Sequence, residues 1–281
     1  MKTLFTIRLS LLTVSLIALF SCNEKEQFIT DALSDYIPLT QGKFITYRLD
    51  SMVFTSFGRI TEIHKYQVKH VIDAKITDNE GRPSYRVIKY TRDSVNASSW
   101  TASQPWIPAG TYTITPLQNQ VELTEDNLRV IKLHLPIKEN YTWKGNSYLP
   151  TDPYDPMYKF SNDDNIASWN FTYESPLPVL NYRGFNYSNV YIVEQTDEKF
   201  NFPITIPTSY ASKSRSVEKY SKNIGLVYRE YELWEYQPNT GGSTGDFSNN
   251  PPPPQAMKGM LRGGYKFKGG DPSSQANWEK Q

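Results

Sequence analysis

Cys22 is the only thiol in the chain, so it is the first residue to ask about chemistry. With no second cysteine there is no internal disulfide, Cys/His metal cluster or dithiol redox pair. A serine nucleophile is suggested by Gly241-Gly242-Ser243-Thr244-Gly245, which fits G-x-S-x-G as a string. That string works only on a strained strand-to-helix turn, with a histidine later in the chain. Here its surroundings are low-complexity and the last histidine is His134. His64 and His70 are six residues apart. On a strand they would face the same way about 20 Å apart, and on a helix they would lie on different faces, so the pair does not chelate one ion. Asp152, Asp155, Asp163 and Asp164 could bind calcium from loops, or form a solvated acidic loop; the EF-hand spacing and its glycine are missing. Glu122, Glu125 and Asp126 could serve a glycosidase only if the fold set two carboxylates at the right separation, which spacing in sequence cannot supply. Trp100, Trp106 and Trp143 are candidates for stacking on sugars, against the alternative of core or rim packing. No phosphate loop or dinucleotide fingerprint is present. These residues assign no catalytic group, no cofactor and no metal site.

The surroundings of Cys22 say more. Lys2 and Arg8 place positive charge ahead of an uncharged, mostly apolar run from Leu9 to Phe20. A membrane-spanning helix needs roughly 20 such residues, so this run reads as a secretory signal. Leu19-Phe20-Ser21-Cys22 resembles a bacterial lipobox, with Phe20 departing from the usual small or aliphatic residue. The resemblance implies cleavage before Cys22 and acylation of that residue, with palmitate-type chains as the anchor. One chain gives marginal binding, with K about 10⁴ M⁻¹, whereas two or more make release very slow. Asn23-Glu24-Lys25-Glu26 is similar to the charged start of surface-directed Bacteroidota lipoproteins. Asn23 also differs from the aspartate of the enterobacterial inner-membrane retention signal. A cell-envelope location, in the outer membrane and lipid-anchored, is the expectation.

The elements that must position any site come next. The formal net charge is +1 with the two signs well mixed, so no basic stripe faces a nucleic-acid backbone. Aromatic residues make up 14%, led by 20 Tyr, which favours strands. Ile45, Tyr47 and Leu49 alternate, as do Tyr66, Val68 and Ile72, and "DNEG" at Asp78–Gly81 predicts a turn between two strands. Alternation continues through Arg129, Ile131, Leu133 and Leu135, through Trp169, Phe171 and Tyr173, and through Leu226, Tyr228 and Trp234. Short helices are expected only at Thr30–Tyr36 and Ser216–Ser221. The pattern predicts an all-β fold, a curved antiparallel sheet or partial barrel.

The expected organisation is a signal peptide over 1–21, a lipid-anchored tether over 22–36, a β domain over 37–237 and a Gly/Pro/Asn-rich disordered tail over 238–281. Within the tail, "GYKFKG" is a candidate edge strand. The proline-containing stretches around Trp106 and from Tyr148 to Asn165 read as long loops.

"YIPLTQGKFITYRLD" and "YSKNIGLVYREYELWEY" resemble uncharacterised exported β-proteins of Bacteroidota. The resemblance implies a strongly curved antiparallel sheet, whose concave side in some relatives holds a hydrophobic ligand. Asp50-Ser51-Met52 and Asp93-Ser94-Val95 resemble the O-glycosylation signal of that phylum; Ser in a turn after a strand is the alternative. The expected function is a non-enzymatic, lipid-anchored β domain that binds or scaffolds. A surface glycan-binding accessory protein of a polysaccharide-uptake system, or a glycoside hydrolase, are the other readings. The expected partners are the membrane, through the anchor, and a glycan or hydrophobic ligand.

Overall fold

A computed structural model describes residues 31–55, 60–93, 105–154, 166–182, 184–206, 208–236 and 265–270. Among the described residues the body is all-β apart from one short α-helix, α1 (Leu33–Tyr36), and a single 3-10 turn at Ile166–Ser168. The strands are β1 (Phe44–Thr55), β2 (Ile60–Thr77), β3 (Pro83–Asp93), β4 (Ile107–Pro116), β5 (Gln120–Glu125) and β6 (Leu128–His134). They continue with β7 (Thr142–Trp143), β8 (Phe171–Tyr173), β9 (Leu177–Tyr182), β10 (Phe185–Phe200), β11 (Ala211–Ser221), β12 (Gly225–Tyr236) and β13 (Tyr265–Gly270). All pair antiparallel in the order β6-β5-β4-β3-β2-β1-β13-β12-β11-β10-β8-β7, with β9 beside β10.

Local chemistry explains the hairpins. Asp78 closes the turn between β2 and β3 by accepting from the Glu80 and Arg82 amides at 2.9 and 2.8 Å. Between β5 and β6 only Asp126 and Asn127 intervene, with φ of 51° and 62°. Two left-handed residues make the hairpin turn whose twist matches the strands, and Asp and Asn tolerate that backbone best after glycine.

The sheet curls until its ends meet. The Ile131 amide of β6 donates to the Gly145 carbonyl at 2.7 Å, and Trp143 Nε1 of β7 donates to the Ile131 carbonyl at 3.0 Å. Tyr173 of β8 fastens the same seam. Its hydroxyl donates to the His134 carbonyl at 2.9 Å and accepts from the His134 amide at 3.1 Å. The largest core cluster lies behind this seam and joins Trp143, Trp169, Phe171 and Tyr173 to Ile131, Leu133 and Leu33. Each such ring or branched chain contributes roughly 1.5–3 kcal/mol of burial.

Four expectations change. Ser216–Ser221 is part of β11, paired on both sides, and not a helix. "GYKFKG" supplies β13, which lies between β1 and β12 and not at an edge. Part of the loop expected around Trp106 is β4. The folded body also starts earlier than Ile37, because Leu33 and Tyr36 are both buried in the core.

Candidate functional site

The concave side of the curled sheet holds a half-open cavity of about 110 Å³. Its strand walls are mostly aliphatic: Ile45, Ile72, Val87, Ile114, Val121 and Leu123. These residues come from neighbouring strands on one face of the sheet: Ile72 pairs with Val87, and Ile114 with Leu123. One end is formed by the Ile37–Leu39 connection and by Ile224–Leu226 at the β11–β12 turn. That end is held together by the start of the body. The Asn223 amide donates to the Asp35 carbonyl at 2.6 Å, and Lys222 pairs with Asp31 at 2.5 Å and with Asp35 at 3.3 Å.

Polar side chains are interleaved with these in the lining: Tyr47, His70, Tyr112, Lys132 and Tyr220, with His70 paired across from Ile45 and Tyr112 across from Val87. Burial pushes the phenols of Tyr47, Tyr112 and Tyr220 up, so they stay protonated and act as donors. Tyr47 donates to the Leu226 carbonyl at 2.8 Å. His70 Nδ1 lies 3.0 Å from the Tyr112 hydroxyl, and the ring stands edge-on to Tyr47 at 5.2 Å. Burial first, and then Lys89 and Arg229, lower its pKa to about 3, so the ring is neutral at physiological pH.

Lys132 leads from the cavity into a buried charge cluster. Its Nζ donates to Glu218 Oε1 at 2.8 Å, and Arg229 Nε lies 3.3 Å from that same oxygen. Glu218 Oε2 accepts from the Tyr220 hydroxyl at 2.7 Å and from Gln195 Nε2 at 3.0 Å. Glu218 is 1% exposed. Burial alone would raise its carboxyl, but Lys132 and Arg229 outweigh that and hold it below the usual range. Burial lowers the Lys132 ammonium, and Glu218 opposes part of that effect. Lys89 and Glu125 form an adjoining pair, and the Glu125 charge reaches both Lys132 and Arg229.

The residues singled out by sequence are scattered. Cys22, Trp100 and Ser94 lie outside the described residues. Trp143 is 7% exposed, with its ring between Tyr173 and Phe171 and in line with Tyr141 and His134. A ring so enclosed offers no face to a sugar. Trp106 is half-buried, with the Arg92 guanidinium and the Lys69 ammonium 4.3 and 4.7 Å from its ring centre. Ser51 lies within β1, opposite His64 of β2, and not in a turn. His64 is exposed beside Glu62, away from any described cluster of three metal-ligating side chains. Glu122 is buried against Arg82 at 3.1 Å. Of the acidic loop cluster, only Asp152 is described.

Sequence reasoning missed Lys132, Glu218 and Arg229. Lys132 and Arg229 occupy polar positions in alternating strands, which read as solvent-facing, and Glu218 falls in the stretch Ser216–Ser221 expected to be helical. The available signal was Lys132 itself, a charge set between Ile131 and Leu133 in a strand with apolar residues on both faces.

No family model matches this chain, and no curated protein matches it. A solved structure from Bacteroides fragilis, described as that of an exported protein with a YmcC-like fold, is similar with a TM-score of 0.28 and 10% identity. The match covers 70% of this chain and 92% of that one.

Proposed function

We propose that this protein is a lipid-anchored component of the bacterial cell envelope whose β body binds an apolar ligand inside the curled sheet. The observation that carries the reading is the cavity on the concave side, walled by aliphatic side chains from five neighbouring strands, β1 to β5. Preformed apolar concavities with a few convergent polar groups are the usual form of small-molecule sites. The anchor is Cys22, and Asn23 with the charges behind it favours the outer membrane. Binding, and not hydrolysis, fits the buried carboxylate beside the cavity. Glu218 is held ionised by Lys132 and Arg229, whereas a glycosidase acid needs a carboxyl raised toward neutrality. The two described tryptophan candidates are packed or covered by cations, so they lend no support to glycan stacking.

Two measurements test this. Radioactive palmitate fed to expressing cells should label the wild type and not Cys22→Ala; label on the variant removes the anchor. Toluene, a neutral hydrocarbon of one ring, should give a saturable heat response on calorimetric titration into the full chain. Ile114→Trp, which fills the cavity, should abolish that response while its melting curve stays cooperative. An undiminished response in that variant would place the probe elsewhere and overturn the cavity reading.

A further inference from the structure

Large apolar side chains that face water singly need no explanation, but a group of them does. Ile63, Ile107, Tyr148 and Val179 are about half exposed at four separate places. Phe200, Phe202 and Ile206 are 59%, 44% and 54% exposed together, on the connection between β10 and β11. This loop stands beyond the last pairs of the sheet there, Phe200 with Ser212 and Ala211 with Tyr236. From Phe200 to Tyr210 it carries no charged residue, and Pro203 and Pro207 bring no N–H. Much of its remaining backbone is satisfied from within. The Asn201 side-chain amide donates to the Ile206 carbonyl at 3.0 Å and to the Tyr210 carbonyl at 3.4 Å. Its Oδ1 accepts from the Thr205 and Ile206 amides, each at 3.2 Å. A loop so arranged has little polar backbone to strip of water, which is what entry into a lipid interface requires. The first charges behind it sit on the strands. Lys199 lies 3.3 Å from Asp197, and Lys213 pairs with Glu232 while standing 5.0 Å from the Phe202 ring centre. With the exposed Glu198 they form a collar that stays in water and limits the depth of entry.

We propose that this loop is a second membrane contact, in which Phe200, Phe202 and Ile206 seat at the boundary of head groups and acyl chains and Asn201 holds them in the inserting shape. The choice of a bilayer as the occupant rests on the anchor reading above; no charge on the loop would orient a protein partner. Lys222, which pairs with Asp31, is ten residues of β11 from Ser212, or about 33 Å. The nine residues from Cys22 to Thr30 reach about 30 Å when extended, so lipid and loop can engage one bilayer with this hairpin tilted over it.

The full chain carrying Cys22→Ala has no thiol, so a single new cysteine reports on one place. Thr208→Cys, exposed on the loop, and Asn79→Cys, in the β2–β3 turn at the other end of the sheet, each take the environment-sensitive dye NBD. With neutral phosphatidylcholine vesicles the loop dye should brighten at least about threefold and be quenched by lipids spin-labelled near the head group, while the turn dye stays dim. Phe200→Ser together with Ile206→Ser, both exposed in the folded body, should abolish the brightening and leave the melting curve unchanged. Asn201→Gly keeps the left-handed backbone, φ of 48°, but removes the amide, and should cut the brightening at least about twofold. The signal should persist in high salt, since no charge takes part. A dim loop dye, an equal response from the turn dye, or brightening that survives the double serine variant would overturn the contact. Loss of the signal in salt would trace it to charges and overturn it as well. An undiminished Asn201→Gly would overturn the part given to Asn201. Because Cys22→Ala carries no lipid, a dim loop dye beside palmitate labelling of the wild type sinks the loop contact alone.

Discussion

Replacing Glu218 by Gln keeps the size of the side chain and removes its charge. Every group around the carboxylate is a donor: Lys132 at 2.8 Å, Tyr220 at 2.7 Å, Gln195 at 3.0 Å and Arg229 at 3.3 Å. The new amide brings two N–H groups into a shell where only the Tyr220 hydroxyl oxygen can turn to accept one. Lys132, 8% exposed at its side chain, loses its counter-ion, while Arg229 at 28% can turn toward water. Breaking a buried pair by removing one partner costs about 3–5 kcal/mol, and the freedom of Arg229 favours the lower half of that range. Urea unfolding followed by tryptophan fluorescence should show a midpoint lower by about 1–2 M at unchanged slope.

The pH dependence gives a second reading of the same variant. Burial already lowers the Lys132 pKa, and the opposing pull of Glu218 vanishes in the variant, so it falls further. Between that folded value and the unfolded value near 10.4, the unfolded chain binds more protons, so stability rises with pH. The deficit of Glu218→Gln should therefore shrink from pH 7 to pH 10, by at most about 1.4 kcal/mol per unit. A loss below about 1 kcal/mol at pH 7, or a deficit that stays flat with pH, would refute the burial and pairing argued for Lys132.

Three further outcomes follow. Trp143→Ala removes a 7% exposed ring from the seam and should cost about 3–5 kcal/mol by chemical denaturation, with Trp143→Phe losing clearly less. Gly145→Ala would place its Cβ 2.3 Å from two ring carbons of Phe171, so it should cost roughly 1–3 kcal/mol. In a Phe171→Leu background that cost should largely vanish, and an additive pair would show the clash to be absent. His70 has a folded pKa of about 3 against an ordinary value of 6.5. Its contribution to stability is present above the unfolded value and is lost as pH falls from 6.5 toward 3. His70→Phe should flatten the acid limb of the stability curve, and an unchanged limb would place that proton uptake on other groups.

How much of this was legible in the sequence differs from element to element. Trp169, Phe171 and Tyr173 showed their alternation and all three are buried. The "DNEG" turn was equally readable, because an aspartate capping its own turn is a local event. In "SVEKYS" the spacing of Val217 and Tyr220 fits a helix turn; the ladders of β10 and β12 make it a strand, and a bulge between Lys219 and Tyr220 explains the broken period. β13 could be seen as a strand but not as an internal one, since its place depends on both β1 and β12. The charge cluster was hidden for a related reason. Lys132 and Glu218 are 86 residues apart, and only the closing of the sheet brings them within 2.8 Å.

The way the body begins has a mechanical consequence. Tyr36 is 1% exposed, packs edge-on against Tyr191 at 5.2 Å and donates its hydroxyl to Asp31 at 2.8 Å. Leu33 is lodged in the same core cluster. Any tension arriving along the backbone from the direction of Cys22 is therefore borne by these two cleats before it reaches Ile37, Pro38 and Leu39. In the anchored protein proposed above, a pull from the N-terminal side would load Leu33 and Tyr36 before the cavity lining that begins at Ile37.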